Sequence, residues 1–223
     1  VVAAAAIAPA IGAQDVKKPR VLPIVGDIVQ SAISAVEGIT FSGHTVCPAC
    51  GGSLTGYDIK RKQFAHVITE DGPRIVYVDI RRYSCTACHQ FCLADNPFYP
   101  DTRVGSIIID LCIALSMTMP VNRVPAYLET IGILVDRSSC RLYVQHISGC
   151  YVRTNVRYID INEKFGIHLP LSLLSLSALA NELDEGSHID ESEVLAACGH
   201  PSAPRKATNF PLPLKRWINR DEP

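Results

Sequence analysis

The sequence predicts an α+β chain built from small modules, and three observations carry that prediction. Two Cys-x-x-Cys pairs, Cys47-Pro-Ala-Cys50 and Cys85-Thr-Ala-Cys88, are separated by 34 residues. Between them runs a stretch of strand-like character, broken by the turn-forming Glu70-Asp71-Gly72-Pro73. After them come three segments of helical spacing, then a small and mostly helical C-terminal segment.

The two cysteine pairs anchor a module over residues 44–98. Four thiolates suffice to close a tetrahedral zinc site, and Gly51-Gly52 frees the backbone to curl round the first pair. His89 and Cys92 follow the second pair at once, so either is an alternative to Cys85 or Cys88 as a ligand. Gln63–Thr69 reads as one strand. Arg74–Tyr83 reads as its return, with Val76, Val78 and Ile80 on one face and Tyr77, Asp79 and Arg81 on the other. A knuckle, a hairpin and a second knuckle make the plan of a zinc ribbon with one structural Zn2+ per chain. So small a unit depends on its metal for stability. Four available thiolates leave no open position of the kind a catalytic zinc keeps. Lys60, Arg61, Lys62, Arg81 and Arg82 decorate the hairpin, placed either to meet phosphates or to keep strand edges from pairing.

Ahead of this module, residues 1–20 lack periodicity and read as a flexible arm. Val1–Gln14 has the small apolar residues of a signal peptide's later half without its basic start. Residues 21–43 are an amphipathic helix and linker: Val21, Val25, Ile28, Val29, Ala32, Ile33 and Val36 share a face, and Gly38 ends the element. The helix is expected to dock on its own chain, with a homodimer through residues 21–37 as its partner reading.

Behind it, Asn96-Pro97-Phe98-Tyr99-Pro100 reads as a linker, and residues 101–148 as a three-helix unit. Ser106–Thr118 is stopped by Pro120. The segment Val121–Ile131 carries Pro125 where only a first turn tolerates it, which moves the start toward Arg123. Gly132 breaks the chain, Ile133 and Val135 turn inward, and Asp136 or Ser138 caps a third helix to about His146. Helix, glycine-containing turn and capped helix is the order of a helix-turn-helix. In it Arg137, Ser138, Ser139, Arg141 and Gln145 would face DNA, with Leu142 and Val144 packing. Arginine and glutamine are side chains that read base edges.

Residues 149–200 form a small accessory segment. It holds a strand within Tyr151–Ile161, a helix opened by Pro170 with Leu171, Leu174, Ala178 and Leu179 apolar, and a short helix from Asp190 to Cys198 with acids in its first turn. Residues 201–223 are Pro-rich and basic and read as disordered, with Trp217 a lone anchor. The net charge of −1 excludes a globally basic nucleic-acid binder. Residues 44–157 nevertheless hold twelve Lys/Arg against nine Asp/Glu, and residues 158–223 hold six against ten, so any nucleic-acid footprint is a local patch. Nine cysteines, an odd number without a regular framework, point to a reducing, cytoplasmic setting. No run is long enough for a membrane helix.

Cys-Pro-x-Cys-Gly-Gly, then Arg82-Tyr83-Ser-Cys85-Thr-Ala-Cys88, then the aromatic-proline stretch and Val121–Val144 together resemble the N-terminal zinc ribbon and helix-turn-helix of prokaryotic insertion-sequence transposases. The resemblance covers residues 44–148. It implies a sequence-specific, nucleoid-associated protein that binds double-stranded DNA, with no small-molecule substrate. In that family a nuclease domain with three metal-holding carboxylates follows. Here 75 residues follow position 148, and Asp160, Glu163, Asp184, Glu185, Asp190, Glu191 and Glu193 show no spacing that sets a catalytic trio apart from a solvated acidic surface. No catalytic residue is assigned.

Overall fold

The computed structural model describes residues 23–44, 46–145, 158–160, 168–182 and 189–202. Along the chain these form α1 (Pro23–Ser34), β1 (Thr40–Phe41), the long strands β2 (Leu54–Thr69) and β3 (Gly72–Cys85), and β4 (Phe91–Leu93). Helices α2 (Ser106–Ser116), α3 (Val124–Thr130) and α4 (Arg137–Leu142) follow. The last elements are β5 (Tyr158–Asp160), β6 (His168–Pro170), α5 (Leu171–Glu182) and α6 (Glu191–Ala197). The expected N-terminal arm, the basic tail with Trp217, and the end of the third helix at His146 lie outside the described residues.

A two-residue turn at Glu70-Asp71 joins β2 and β3, which pair antiparallel from Thr69–Gly72 at the turn to Leu54–Cys85 at the far end. The hairpin is thus longer than the strand-like stretches of the sequence. Its turn-proximal half is core: Val76, Val78 and Ile80 are buried, as are Phe64, Ala65 and Val67. In the far half Thr55–Arg61 is exposed throughout, so the hairpin projects from the body as an arm. Local pattern cannot announce such a strand, because neither face is covered.

The outer edge of β3 is also paired. β1 runs parallel to it at Thr40–Asp79 and Phe41–Ile80, and β4 antiparallel from Arg82–Leu93 to Ser84–Phe91. Gly38 N–H to Tyr77 O and Ala94 N–H to Arg81 O, both 2.9 Å, extend this edge on either side.

Helix α2 is apolar on every side apart from Ser106 and Asp110, and residues 106–115 are buried, as in a central helix. Its entry is shaped by a bulge in β2. The register shifts between Gln63 and Ala65, leaving Phe64 unpaired and turned inward. Gly105, at the N-cap of α2, donates its N–H to Phe64 O at 2.8 Å. A Cβ on Gly105 would lie 2.3–2.8 Å from the Phe64 ring, so only glycine fits. Phe98 meets the same ring edge-on at 5.9 Å. Residues 96–100, expected as a linker, are therefore packed: Asn96, Phe98 and Tyr99 are buried. Two large aromatic rings outweigh the prolines around them, and hairpin and helices share one apolar core.

The remaining helices dock around this centre. Helix α3 begins after Arg123 with Pro125 in its first turn, and Asp136 caps α4 by accepting the Ser139 N–H at 2.8 Å. The α3–α4 connection is tied to β2 by Ile68 N–H to Gly132 O and Leu134 N–H to His66 O, both 2.8 Å, and it buries Ile133. Val25, Val29, Ala32 and Ile33 of α1 are buried in the chain's own core. Ser31 and Ser177 share a 2.7 Å hydrogen bond between α1 and α5. The apolar stripe of α1 thus packs on its own chain. The buried side of α5 is Leu173, Leu176 and Ser177; Leu171 and Ala178 are exposed, and Leu174 is only partly covered. The expected face is rotated because α5 follows β6 directly, and β6 already seats Leu169 and Pro170 in the core. Helix α6 carries a capping box, Asp190 with Glu193. Its Glu191 accepts from the Ser42 N–H and hydroxyl, so this carboxylate ties α6 to the segment after β1.

Among the described residues no helix is long and apolar enough to cross a membrane.

Candidate metal centre

The far end of the arm brings the two cysteine pairs together. The sulfurs of Cys47, Cys50, Cys85 and Cys88 all lie within 4.8 Å of one another, close enough to hold a metal ion. Cys47 Sγ is 3.7 Å from Cys88 Sγ, and Cys50 Sγ is 3.5 Å from Cys85 Sγ. Among the described residues this is the one group of three or more His, Cys, Asp or Glu side chains so placed.

The two knuckles are built alike. Cys47 N–H donates to Gly52 O at 2.9 Å, and Cys85 N–H to Gln90 O at 3.0 Å. Gly51 N–H returns to Cys47 O at 2.8 Å, and His89 N–H to Cys85 O at 3.1 Å. Gly51 and His89 both have positive φ, 72° and 58°. His89 thus fills the left-handed turn position of the second knuckle, while its side chain stands outside the ligand group. Cys92 sits on β4 opposite Tyr83 and is likewise outside the group. At Gly52 a Cβ would come within 2.9 Å of Ala87 Cβ and 3.1 Å of Cys85 Sγ, so the knuckles approach here only because a side chain is missing.

Electrostatics favour thiolate at the second knuckle. The backbone amides of Cys88 and Ala87 point at Cys85 and pull its thiol down to about 6. Cys50 receives the Gly52 amide, yet the neighbouring Cys85 and Cys88 thiols outweigh it and push Cys50 up to about 12. A metal takes these thiols as thiolates, so a bound cation would favour their deprotonation. Burial, then the charge of Cys47, Cys85 and Cys88, raises the Cys92 thiol.

No family model, curated protein or solved structure matches this chain.

The basic residues of the arm divide between its two faces. Lys60, Arg61 and Arg81 are exposed, with the Arg61 guanidinium 4.8 Å from the Tyr77 ring. Arg82 forms a two-pronged ion pair with Asp58. Lys62 is drawn inward. Its Nζ lies 3.8 Å from the Phe98 ring centre in a cleft of about 330 Å³ shared with His44, Cys92 and Asp101, and burial lowers its pKa to about 8. Lys62 is therefore less open to phosphate than its sequence neighbours.

On α4, Arg137, Ser138, Arg141 and, just past its end, Gln145 are exposed and Ser139 is partly covered. Cys140, which meets Cys112 of α2, and Tyr143 hold the helix to the body. Leu142, expected to pack, is 47% exposed, and Val144 is partly buried. The connection before α4 is anchored on β2 at His66–Ile68, about twelve residues from the knuckle end, or roughly 40 Å at the rise of a strand. The structure thus does not bring α4 and the metal cluster into one site.

The sequence reading missed Asp110, which is 3% exposed at the centre of α2. It accepts the Tyr99 hydroxyl at 2.6 Å and the Ser172 hydroxyl at 3.0 Å. Its signal was a lone carboxylate within Ile107-Ile-Ile-Asp-Leu-Cys-Ile113.

Proposed function

We propose that this chain is a sequence-specific DNA-binding protein of transposase-like type, in which a zinc ribbon with a structural Zn2+ stiffens the arm and α4 reads the duplex. The observation that carries the reading is the two-sidedness of α4 and the residues that continue it: Arg137, Ser138, Arg141 and Gln145 are open to solvent while Cys140 and Tyr143 anchor the opposite side. Zinc suits the cluster because four thiolates at zinc–sulfur distances stand about 3.8 Å apart, close to the 3.7 and 3.5 Å of the two cross-knuckle pairs. With its ligands complete, such an ion has no place for substrate. The exposed Lys60, Arg61 and Arg81 add sequence-independent attraction to phosphate.

Selection from a random duplex library, followed by titration of the selected site at several salt concentrations, tests this. Arg141→Ala is expected to relax preference at one base position, at a cost of about 1–3 kcal/mol for the base it reads. Arg61→Ala is expected to weaken every duplex alike and to flatten the salt dependence. Equal losses on all sequences from both variants would remove α4 as the reading element. No duplex binding at low salt would leave a protein-interaction module, the reading that the exposed Ile59 favours.

A further inference from the structure

We propose that the arm carries a second nucleic-acid site, a sheet face that stacks unpaired bases of single-stranded DNA on Tyr57 and Phe91. The proposal deepens the DNA-binding reading and stands on residues that α4 does not use.

The register defines the face. Arg82 lies opposite both Asp58 and Leu93, and Ser84 opposite Phe91, so these side chains leave the sheet on the side that carries Val76, Val78 and Ile80 farther down β3. Tyr57 sits at the bulge between Gly56 and Asp58. Its ring centre is 4.8 Å from that of Phe91, and the Arg82 guanidinium stands 5.4 Å from it. Down to Ile80 this side is closed over by the core; beyond it Tyr57 and Phe91 are each 60% exposed and Leu93 40%. Two adjoining aromatic rings so open contribute little to the core.

Charge indicates the occupant. By register this face of the arm carries three cations, Lys60, Lys62 and Arg82, against one anion, Asp58, while Arg61 and Arg81 leave the other side. Asp58 is engaged by Arg82, which pins the flat guanidinium beside the Tyr57 ring. Aromatic rings beside a planar cation, on strands with an excess of positive charge, suit a polyanion whose base faces are free. A duplex keeps those faces stacked inside, so the rings select single strands.

The test uses the full-length, zinc-loaded chain and a fluorescently labelled oligo-dT of about a dozen nucleotides, within the span usual for such sites. Anisotropy is expected to show binding at low salt. Tyr57→Ala and Phe91→Ala should each weaken it about tenfold, the order expected for losing one stacked base. Tyr57→Phe should bind like the parent. Should Tyr57→Ala lose zinc or melt early, Tyr57→Leu keeps the bulk at the bulge without the aromatic face and is expected to show the same loss. Absence of oligo-dT binding, as for a face that meets a protein, overturns the proposal. So do alanine and leucine variants within twofold of the parent. Oligo-dT binding without duplex binding would instead sink the α4 reading and leave this site standing.

Discussion

Gly51 and His89 occupy the same position in the two knuckles, each with positive φ and each returning its N–H to the carbonyl of the first cysteine of its pair. The equivalence turns a candidate ligand into a backbone device. A non-glycine residue in this conformation costs roughly 1 kcal/mol. His89→Gly is therefore expected to keep one metal per chain and to raise the melting temperature slightly. Gly51→Ala should lower it. Metal stoichiometry and thermal melts of the three proteins decide the matter; loss of metal in His89→Gly would make the imidazole a ligand.

Removing the metal should act on only part of the hairpin. Val76, Val78 and Ile80 are buried in the common core, whereas Thr55–Arg61 is exposed throughout. Chelation at neutral pH, or Cys85→Ser, is expected to raise amide hydrogen exchange across residues 54–60 and 82–88. Residues 65–68 and 75–80 should remain protected. Loss of protection along the whole of β3 would show that the core itself depends on the ion.

The contact between Gly105 and Phe64 is a close fit with a definite cost. Gly105→Ala places a methyl against the ring, and overpacking of this kind costs about 1–3 kcal/mol. Trimming the ring should recover part of the loss: Gly105→Ala with Phe64→Leu is expected to be less destabilised than the sum of the two single changes. Urea unfolding of all four proteins measures the coupling. Strict additivity would remove the steric account.

Asp110 makes stability depend on pH in the less common direction. Burial, opposed by the Tyr99 and Ser172 hydroxyls, raises its carboxyl to about 6, against about 3.9 in an unfolded chain. Between those values the folded protein binds the extra proton. The contribution of Asp110 is thus most favourable below pH 4 and declines as pH rises through 6, by about 3 kcal/mol in all. In Asp110→Asn the Oδ1 still accepts from Tyr99, and this slope disappears. The difference between parent and variant stability from pH 4 to pH 7 should grow in the variant's favour. A constant difference would mean that the carboxyl titrates normally.

Several of these features were legible before any fold was known. The turn at Glu70-Asp71, the alternation of Val76, Val78 and Ile80, a cap at Asp136 or Ser138, the acidic first turn of α6 and the late start of α3 near Arg123 are local, and each follows from chemistry within a few residues. The meeting of the four cysteines followed from their spacing and the hairpin between them. What escaped depends on distant partners. Phe98 and Tyr99 looked like linker because prolines flank them, and only the ring of Phe64 and the carboxyl of Asp110 explain their burial. The rotation of α5 is set by β6. Strand β2 from Thr55 to Arg61 has no covered side and hence no readable pattern. The parallel addition of β1 joins residues about 40 positions apart, with no local cue for the pairing.

Because β3 runs unbroken from Gly72 to Cys85 and is bonded along both edges, it works as a cantilever clamped at its inner half. Swinging its tip would mean tearing several rungs of two ladders at once. Whatever engages the far end meets it at a constant reach, about 16 Å beyond Ile80 at the rise of a strand. A force applied at the cysteine cluster is thereby delivered along β3 to the body through Val76, Val78 and Ile80, the residues buried in the common core.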